Sequence, residues 1–221
     1  FGVGSAILLG DLCLSWSDEL LMASGLPPAA LAAAKPIFDE MRTELMAGQY
    51  LDLLEQVRGD YSLDSALQVA RYKSAKYTVE RPLHIGAAAA GADSAHLEQL
   101  TAFGIPLGEA FQLRDDMLGV YGDPQETGKP AGDDLREGKR TALVAIAWER
   151  ADAFQRDLLR QHLGDPAITP SMVDALRNVI TETGAQAAVE QMIDDRTATC
   201  REVIAAMDID EQTRAAFDRL L

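Results

Sequence analysis

The sequence predicts an all-α protein, on three observations. Apolar residues recur at helical spacing over almost the whole chain, and no stretch alternates apolar and polar residues long enough to nominate a strand. Glycine and proline collect in clusters between these runs, where they end helices. The composition, 48% hydrophobic and 25% charged over 221 residues, supports a substantial core and excludes global disorder. A single domain over residues 1–221 is expected.

Taken in order, Leu8, Leu12, Trp16 and Leu20 form one i, i+4 row of a first helix, which the Ser24, Gly25 and Pro27 break ends. A second helix follows Pro28, with Phe38, Met41 and Leu45 on a shared face and Tyr50 and Leu51 near its end. Gly59 and Asp60 mark a turn. The third helix carries Leu63, Leu67 and Ala70 and runs on towards Ala90, with Pro82 kinking or dividing it. Asp93 or Ser94 caps the next helix. The segment from Gly122 to Gly138, GDPQETGKPAGDDLREG, reads as an ordered loop. Helix resumes near Lys139, with later breaks around Gly164 to Pro170 and near Gly184. Val189, Ile193, Cys200, Val203 and Met207 line a late buried face.

Lys and Arg total 20 against 35 Asp and Glu, a net charge of −15 that disfavours binding to nucleic acid or to anionic membrane. No apolar run approaches the roughly 18 residues needed to span a bilayer. The opening FGVGSAILLGDLCLSW is apolar but lacks a basic leader and is interrupted by Asp11. Without an initiating Met, it predicts a chain entered partway through a helix and missing helices that precede it. Cys13 and Cys200 stand far apart among apolar residues, as reduced core thiols of a cytoplasmic protein would.

The functional signal is GEAFQLRDDMLG, Gly108 to Gly119. On a helix, Gly104, Gly108, Gln112, Asp115, Asp116 and Gly119 share one stripe, whereas Leu100, Phe103, Leu107, Phe111 and Arg114 share another. The second stripe is expected to pack and the first, stripped of bulk, to open onto a cavity. Two adjacent carboxylates repel, so keeping both charged favours a counter-cation, and hard oxygen ligands suit Mg2+ or Ca2+. An EF-hand fails here, because Met117, Gly119 and Val120 occupy positions that need ligands and a glycine turn. A P-loop fails as well: Lys129 precedes Pro130 and Lys139 precedes Arg140, where Ser or Thr is required. His84, His96 and His162 lack zinc-ligand spacing, and no GxSxG supports a nucleophilic hydrolase. What survives is the carboxylate pair, the cations Lys129, Lys139 and Arg140 close to Asp133 and Asp134, and Lys73–Ser74 with Tyr77 on an earlier helix. Metals bridging carboxylates to phosphate oxygens, with lysines on the remaining oxygens, would use all of these, which makes a diphosphate the expected ligand. Solvated lysines at Lys73 and Lys76 and a charged surface loop are the plainer alternatives.

The stretch GEAFQLRDDMLGVYGDPQETGKPAGDDLREGKRT, Gly108 to Thr141, resembles the second aspartate-rich region of the trans-isoprenyl diphosphate synthases, the polyprenyl synthetase family. YKSAKYTVERPLHIGA resembles the family's lysine-threonine helix, and GSAILLGDLCLSWSDELL its helix that begins with an apolar run and Gly-Asp. The resemblance implies an antiparallel all-α bundle around a central cavity, the isoprenoid synthase fold, usually as a homodimer. It implies an enzyme that condenses isopentenyl diphosphate with an allylic diphosphate to a short-chain trans-polyprenyl diphosphate of farnesyl to geranylgeranyl length, with several Mg2+ ions bridging to diphosphate. By the same resemblance Asp115 ligates metal, supported by Asp116 and Asp134, and Lys73, Lys129 and Lys139 hold the diphosphate. Gln112 and Ser74 lie near the reacting carbon. Gly119 stands where the family's DDxxD has its last Asp, and Ser74 where Thr is usual. The first aspartate-rich motif and its arginine pair are expected before Phe1. A noncatalytic partner subunit of a prenyl synthase and a class I terpene cyclase are the alternatives carried forward.

Overall fold

The computed structural model describes residues 2–59, 61–123, 125, 128, 130 and 132–221. Among these there is no strand, in agreement with the all-α expectation. Helix α1, Gly2–Met22, ends one residue short of the Ser24–Pro27 break, and α2, Pro28–Arg58, takes Pro28 into its first turn, where a missing N–H costs nothing. Gly59 closes α2 at φ 66, a left-handed cap that favours glycine. Helix α3, Leu63–Ala70, begins on the Ser62 cap and passes directly into a π-helix, Arg71–Glu80, followed by α4, Arg81–Ala89. Sequence periodicity foresees one helical path here, but not its widened middle. At the exit of the π-helix the Arg81 N–H bonds to the Lys76 carbonyl, five residues back, and Pro82 then offers no N–H at the junction.

Helix α5, Ser94–Tyr121, is the spine of the molecule. Asp93 caps it, accepting from the His96 N–H at 3.0 Å. At its other end the Arg177 guanidinium donates to the Val120 carbonyl at 2.7 and 2.5 Å, placing a cation on the negative end of the helix. The segment expected to be wholly loop contains a short helix, α6, Asp133–Glu137, framed by Gly132 at φ 72 and Gly138 at φ 74. Then come α7, Ala142–Arg150, α8, Ala153–His162, α9, Pro170–Glu182, α10, Ala185–Ala206, and α11, Glu211–Asp218.

The main core joins Leu113, Met117 and Val120 of α5 to Leu143 and Val144 of α7, Leu176 and Ile180 of α9 and Val189 of α10. A smaller cluster sets Phe103 against Cys200, Ile204 and Met207, with the Phe217 ring edge-on to Phe103 at 4.7 Å. Burial pushes the Cys200 thiol up to about 11, which suits an inert core thiol. Cys13 departs from expectation: it is exposed, because α1 as a whole buries no residue. Its row Leu8, Leu12, Trp16 and Leu20 lies open, with Leu8 at 69% and Leu20 at 72% exposure.

The π-helix is wedged between α2 and α5, and glycines make the wedge possible. A Cβ on Gly48 of α2 would run into the backbone of Tyr72 and Lys73. From the other side, a Cβ on Gly104 would come within 2.9 Å of Glu80 Cα, and one on Gly108 would overlap Ala75. The Gly104–Gly108 half of the stripe therefore does not open onto a cavity as expected: it is filled by another helix's backbone. Ion pairs lock the wedge. Buried Glu109 of α5 accepts from Arg71 at 2.7 Å and from Arg196 at 2.8 Å, and Glu44 of α2 accepts from Lys76 at 2.5 Å and Arg81 at 2.7 Å. Lys76 is thus a half-buried structural cation, not a solvated one.

Candidate active site

Below Gly108 the stripe does open. A cavity of about 130 Å³ is bounded by Asp52 of α2, Ala70 of α3, Lys73 and Ser74 of the π-helix, Gln112, Asp115 and Asp116 of α5, and Lys139, Arg140 and Thr141 at the entry to α7. Three cations and three carboxylates therefore line one small polar space.

The side chains are already ordered by one another. Buried Ser74 donates its hydroxyl to Gln112 Oε1 at 2.5 Å, and Gln112 Nε2 donates to Asp116 Oδ1 at 2.7 Å. These two bonds fix which end of the Gln112 amide points which way. Lys73 Nζ pairs with Asp52 Oδ2 at 2.5 Å. Gly48 and Asp52 stand one turn apart on α2: the first admits the Lys73 backbone and the second holds its ammonium. Arg140 stacks its guanidinium 4.1 Å over the Tyr61 ring, which in turn lies flat on Trp148 at 3.9 Å. Lys139 pairs with Asp134 of α6 and, at 3.2 Å, with Glu137.

The adjacent carboxylates differ in environment. Asp115 is exposed to the cavity mouth, whereas Asp116 is buried. Burial pushes the Asp116 carboxyl up to about 7, the charges of Asp134 and Asp115 add to the rise, and the Gln112 hydrogen bond and Lys139 oppose it. Burial likewise raises Asp134, even with Lys139 beside it. For Lys139 burial pulls downward, but its bonds to Asp134 and Glu137 prevail and hold the ammonium above the ordinary lysine range.

Seven of the residues singled out from sequence, Lys73, Ser74, Gln112, Asp115, Asp116, Lys139 and Arg140, converge on this cavity. Asp134 stands beside it against α5, with its carboxylate next to Gly119 and Lys139. Lys129 lies outside the described residues. Sequence reasoning missed Asp52 and Thr141 as wall residues; an isolated glycine inside a long helix, Gly48, was the available hint that this part of α2 approaches a functional backbone.

Among the described residues, no three carboxylate, His or Cys side chains stand close enough to enclose a metal ion. The donor set suits Mg2+ nonetheless, because that ion is usually held by one or two carboxylates with its remaining positions filled by water and substrate phosphates.

The all-helical bundle has the isoprenoid synthase fold. The chain belongs to the polyprenyl synthetase family, whose sequence model matches residues 1–180. A geranylgeranyl pyrophosphate synthase from Corynebacterium glutamicum, solved with isoprenyl diphosphate and magnesium, superposes with a TM-score of 0.96 at 41% identity, covering 100% of this chain and 62% of that one. The (2E,6E)-farnesyl diphosphate synthase of Mycobacterium tuberculosis is 38% identical over 148 residues, 67% of this chain and 40% of the relative. A geranylfarnesyl diphosphate synthase of Aeropyrum pernix is 29% identical across 100% of this chain and 69% of its own length. The chain therefore spans well under two thirds of the mycobacterial relative.

Proposed function

We propose that this chain carries the allylic-diphosphate half of a short-chain trans-polyprenyl diphosphate synthase, a transferase that joins isopentenyl diphosphate to an allylic diphosphate. The observation that carries the reading is the cavity in which Asp115 and Asp116 face Lys73 and Lys139, with the Ser74–Gln112–Asp116 chain along its wall. Relatives named as farnesyl and geranylgeranyl diphosphate synthases support it.

Mg2+ bound between the carboxylates and the diphosphate would neutralise charge that builds on the leaving group as its bond to the allylic carbon breaks. Asp115, at the open mouth, and Asp116 behind it would hold the metal, with Asp134 in support. Lys73, Lys139 and, by sequence, Lys129 would take the remaining phosphate oxygens as point charges. Lys73 has three donors, so it can keep its bond to Asp52 and still offer two to phosphate. Ser74 and Gln112 sit between the lysine and the carboxylates, where oriented dipoles can stabilise positive charge on the allylic carbon. Gln112 also keeps a buried hydrogen bond on Asp116, which lowers the cost of ionising that carboxyl when a cation arrives.

Two further features support the reading of a homodimer in a reducing compartment. Helix α1 exposes Leu8, Leu12, Trp16 and Leu20 together, a patch of the kind that a second copy covers. Both described cysteines are free, and no described helix is long and apolar enough to cross a membrane. The protein at its natural length, incubated with Mg2+, isopentenyl diphosphate and allylic diphosphates of increasing length, is expected to give products longer by one isoprene unit or more. Chromatography reads the outcome, and no elongation from any starter would overturn the proposal.

A further inference from the structure

The cations that line the polar cavity are not equivalent. Lys73 pairs with Asp52, and Lys139 pairs with Asp134 and Glu137. Among the described residues Arg140 pairs with no carboxylate, and its Nε and Nη1 atoms are buried without a hydrogen-bond partner. A guanidinium stays charged, so its burial without a counter-charge is unfavourable. What holds it there is aromatic. The Arg140 guanidinium lies 4.1 Å over the Tyr61 ring, that ring lies flat on Trp148 at 3.9 Å, and Arg160 of α8 stands 5.4 Å from the Trp148 ring. The turn between α2 and α3, helix α7 and helix α8 thus converge to place one cation on the cavity wall. Stacking on a ring face offsets part of the desolvation and leaves the in-plane N–H donors unused.

We propose that Arg140 is a further substrate-binding residue, which anchors a phosphate oxygen of the allylic diphosphate from a support formed by Tyr61 and Trp148. The inference rests on the metal–diphosphate reading above and adds to it a cation that no described side chain neutralises. An entering diphosphate must share Lys73 and Lys139 with the carboxylates already bound to them. Arg140 it meets unshared. A slide of the guanidinium across the Tyr61 ring keeps the stack and turns an N–H towards the cavity, so that an orphaned donor gains the partner that the protein itself does not supply. Binding and stability are then opposed at this residue, whereas a purely structural stack would link stability to the presence of the arginine.

The test is calorimetric titration of inorganic pyrophosphate, with and without Mg2+, into the protein at its natural length, together with ligand-free thermal melts. Arg140→Met keeps a long stem on the Tyr61 ring but removes the charge. It is expected to weaken pyrophosphate binding about tenfold to a hundredfold, the range for a hydrogen bond between charged groups, and to leave the melting temperature unchanged or higher. Arg140→Lys, a point charge that stacks less well, should recover only part of the loss. Tyr61→Leu, which removes the stack and leaves the charge, should weaken binding about threefold. In steady-state assays Arg140→Met should raise KM for the allylic diphosphate and leave that for isopentenyl diphosphate within about twofold. Undiminished pyrophosphate binding by Arg140→Met, a fall in its melting temperature, or a KM rise confined to isopentenyl diphosphate would overturn the inference and leave the site reading intact. A parent protein that binds no pyrophosphate with Mg2+ would instead remove both.

Discussion

The two halves of one helical stripe on α5 do opposite work. Gly104 and Gly108 lack side chains so that the backbone of the π-helix can lie against them. Gln112, Asp115, Asp116 and Gly119, continuing the same row, face a polar cavity and a carboxylate from α6. A row of small residues therefore signals close approach, and what approaches, a backbone or a ligand site, is decided by the element opposite. The two uses are linked here. The tight upper contact sets the height of the π-helix, and that height brings Ser74 within hydrogen-bonding distance of Gln112.

The comparison breaks first at Asp115. On the proposed synthase reading, Asp115→Ala should lower prenyl-transfer turnover by roughly three orders of magnitude, about 4 kcal/mol of transition-state stabilisation. Because Asp115 is exposed, helicity by circular dichroism should not change. Retained activity would remove it from the metal shell.

Next comes the packed half. Gly108→Val should destabilise the fold by about 1–3 kcal/mol in denaturant titration, since backbone cannot yield as a side-chain end can. Gly86→Ala in α4 is the control: nothing lies within 4 Å of its added Cβ, so it should be neutral or stabilise by up to ~1 kcal/mol. Equal losses at both would mean that helix propensity and not close approach explains the stripe.

Asp52→Asn tests the seat of Lys73. With the ammonium no longer held, KM for the allylic diphosphate should rise about tenfold, with a smaller change in kcat. A fall in KM would show instead that Asp52 only competes with phosphate for the lysine.

The smallest effect is one of pH. Asp116 is raised in the fold, so its contribution to stability is present at low pH and is lost as pH rises through about 7. The metal-free parent should melt at lower temperature at pH 8 than at pH 6, and Asp116→Asn should flatten that difference. Mg2+ with pyrophosphate, which needs the ionised carboxylate, should stabilise the parent more at pH 8 than at pH 6. A parent melt that does not vary over this window would place Asp116 in a wetter setting.

Much of the fold was legible because helix ends are local events. The Pro27–Pro28 start, the Asp93 cap, the Gly164–Pro170 break and the Gly184 turn all depend on a few neighbouring residues, and each stands where the sequence put it. The short helix α6 was hidden inside a glycine-rich segment, because five residues carry too little periodicity to announce a helix. The π-helix was hidden because nothing in RYKSAKYTVE distinguishes a wide turn from an ordinary one. Within the site, Lys73, Gln112, Asp115 and Asp116 could be singled out by residue type and spacing. Asp52 could not, since it acts through a lysine 21 residues away.

The sequence by itself determined the helical class, the positions of most breaks, and the chemistry available: paired carboxylates, lysines, a hydroxyl and an amide. Only the tertiary structure decided that Gly104 and Gly108 are filled by backbone, that Asp134 takes the space of Gly119, and that α1 keeps its apolar row uncovered within this chain. Caps and periodicity are set by interactions within a few residues. The use of an empty helix face is set by steric exclusion between elements far apart in the chain, and that is settled only when they pack.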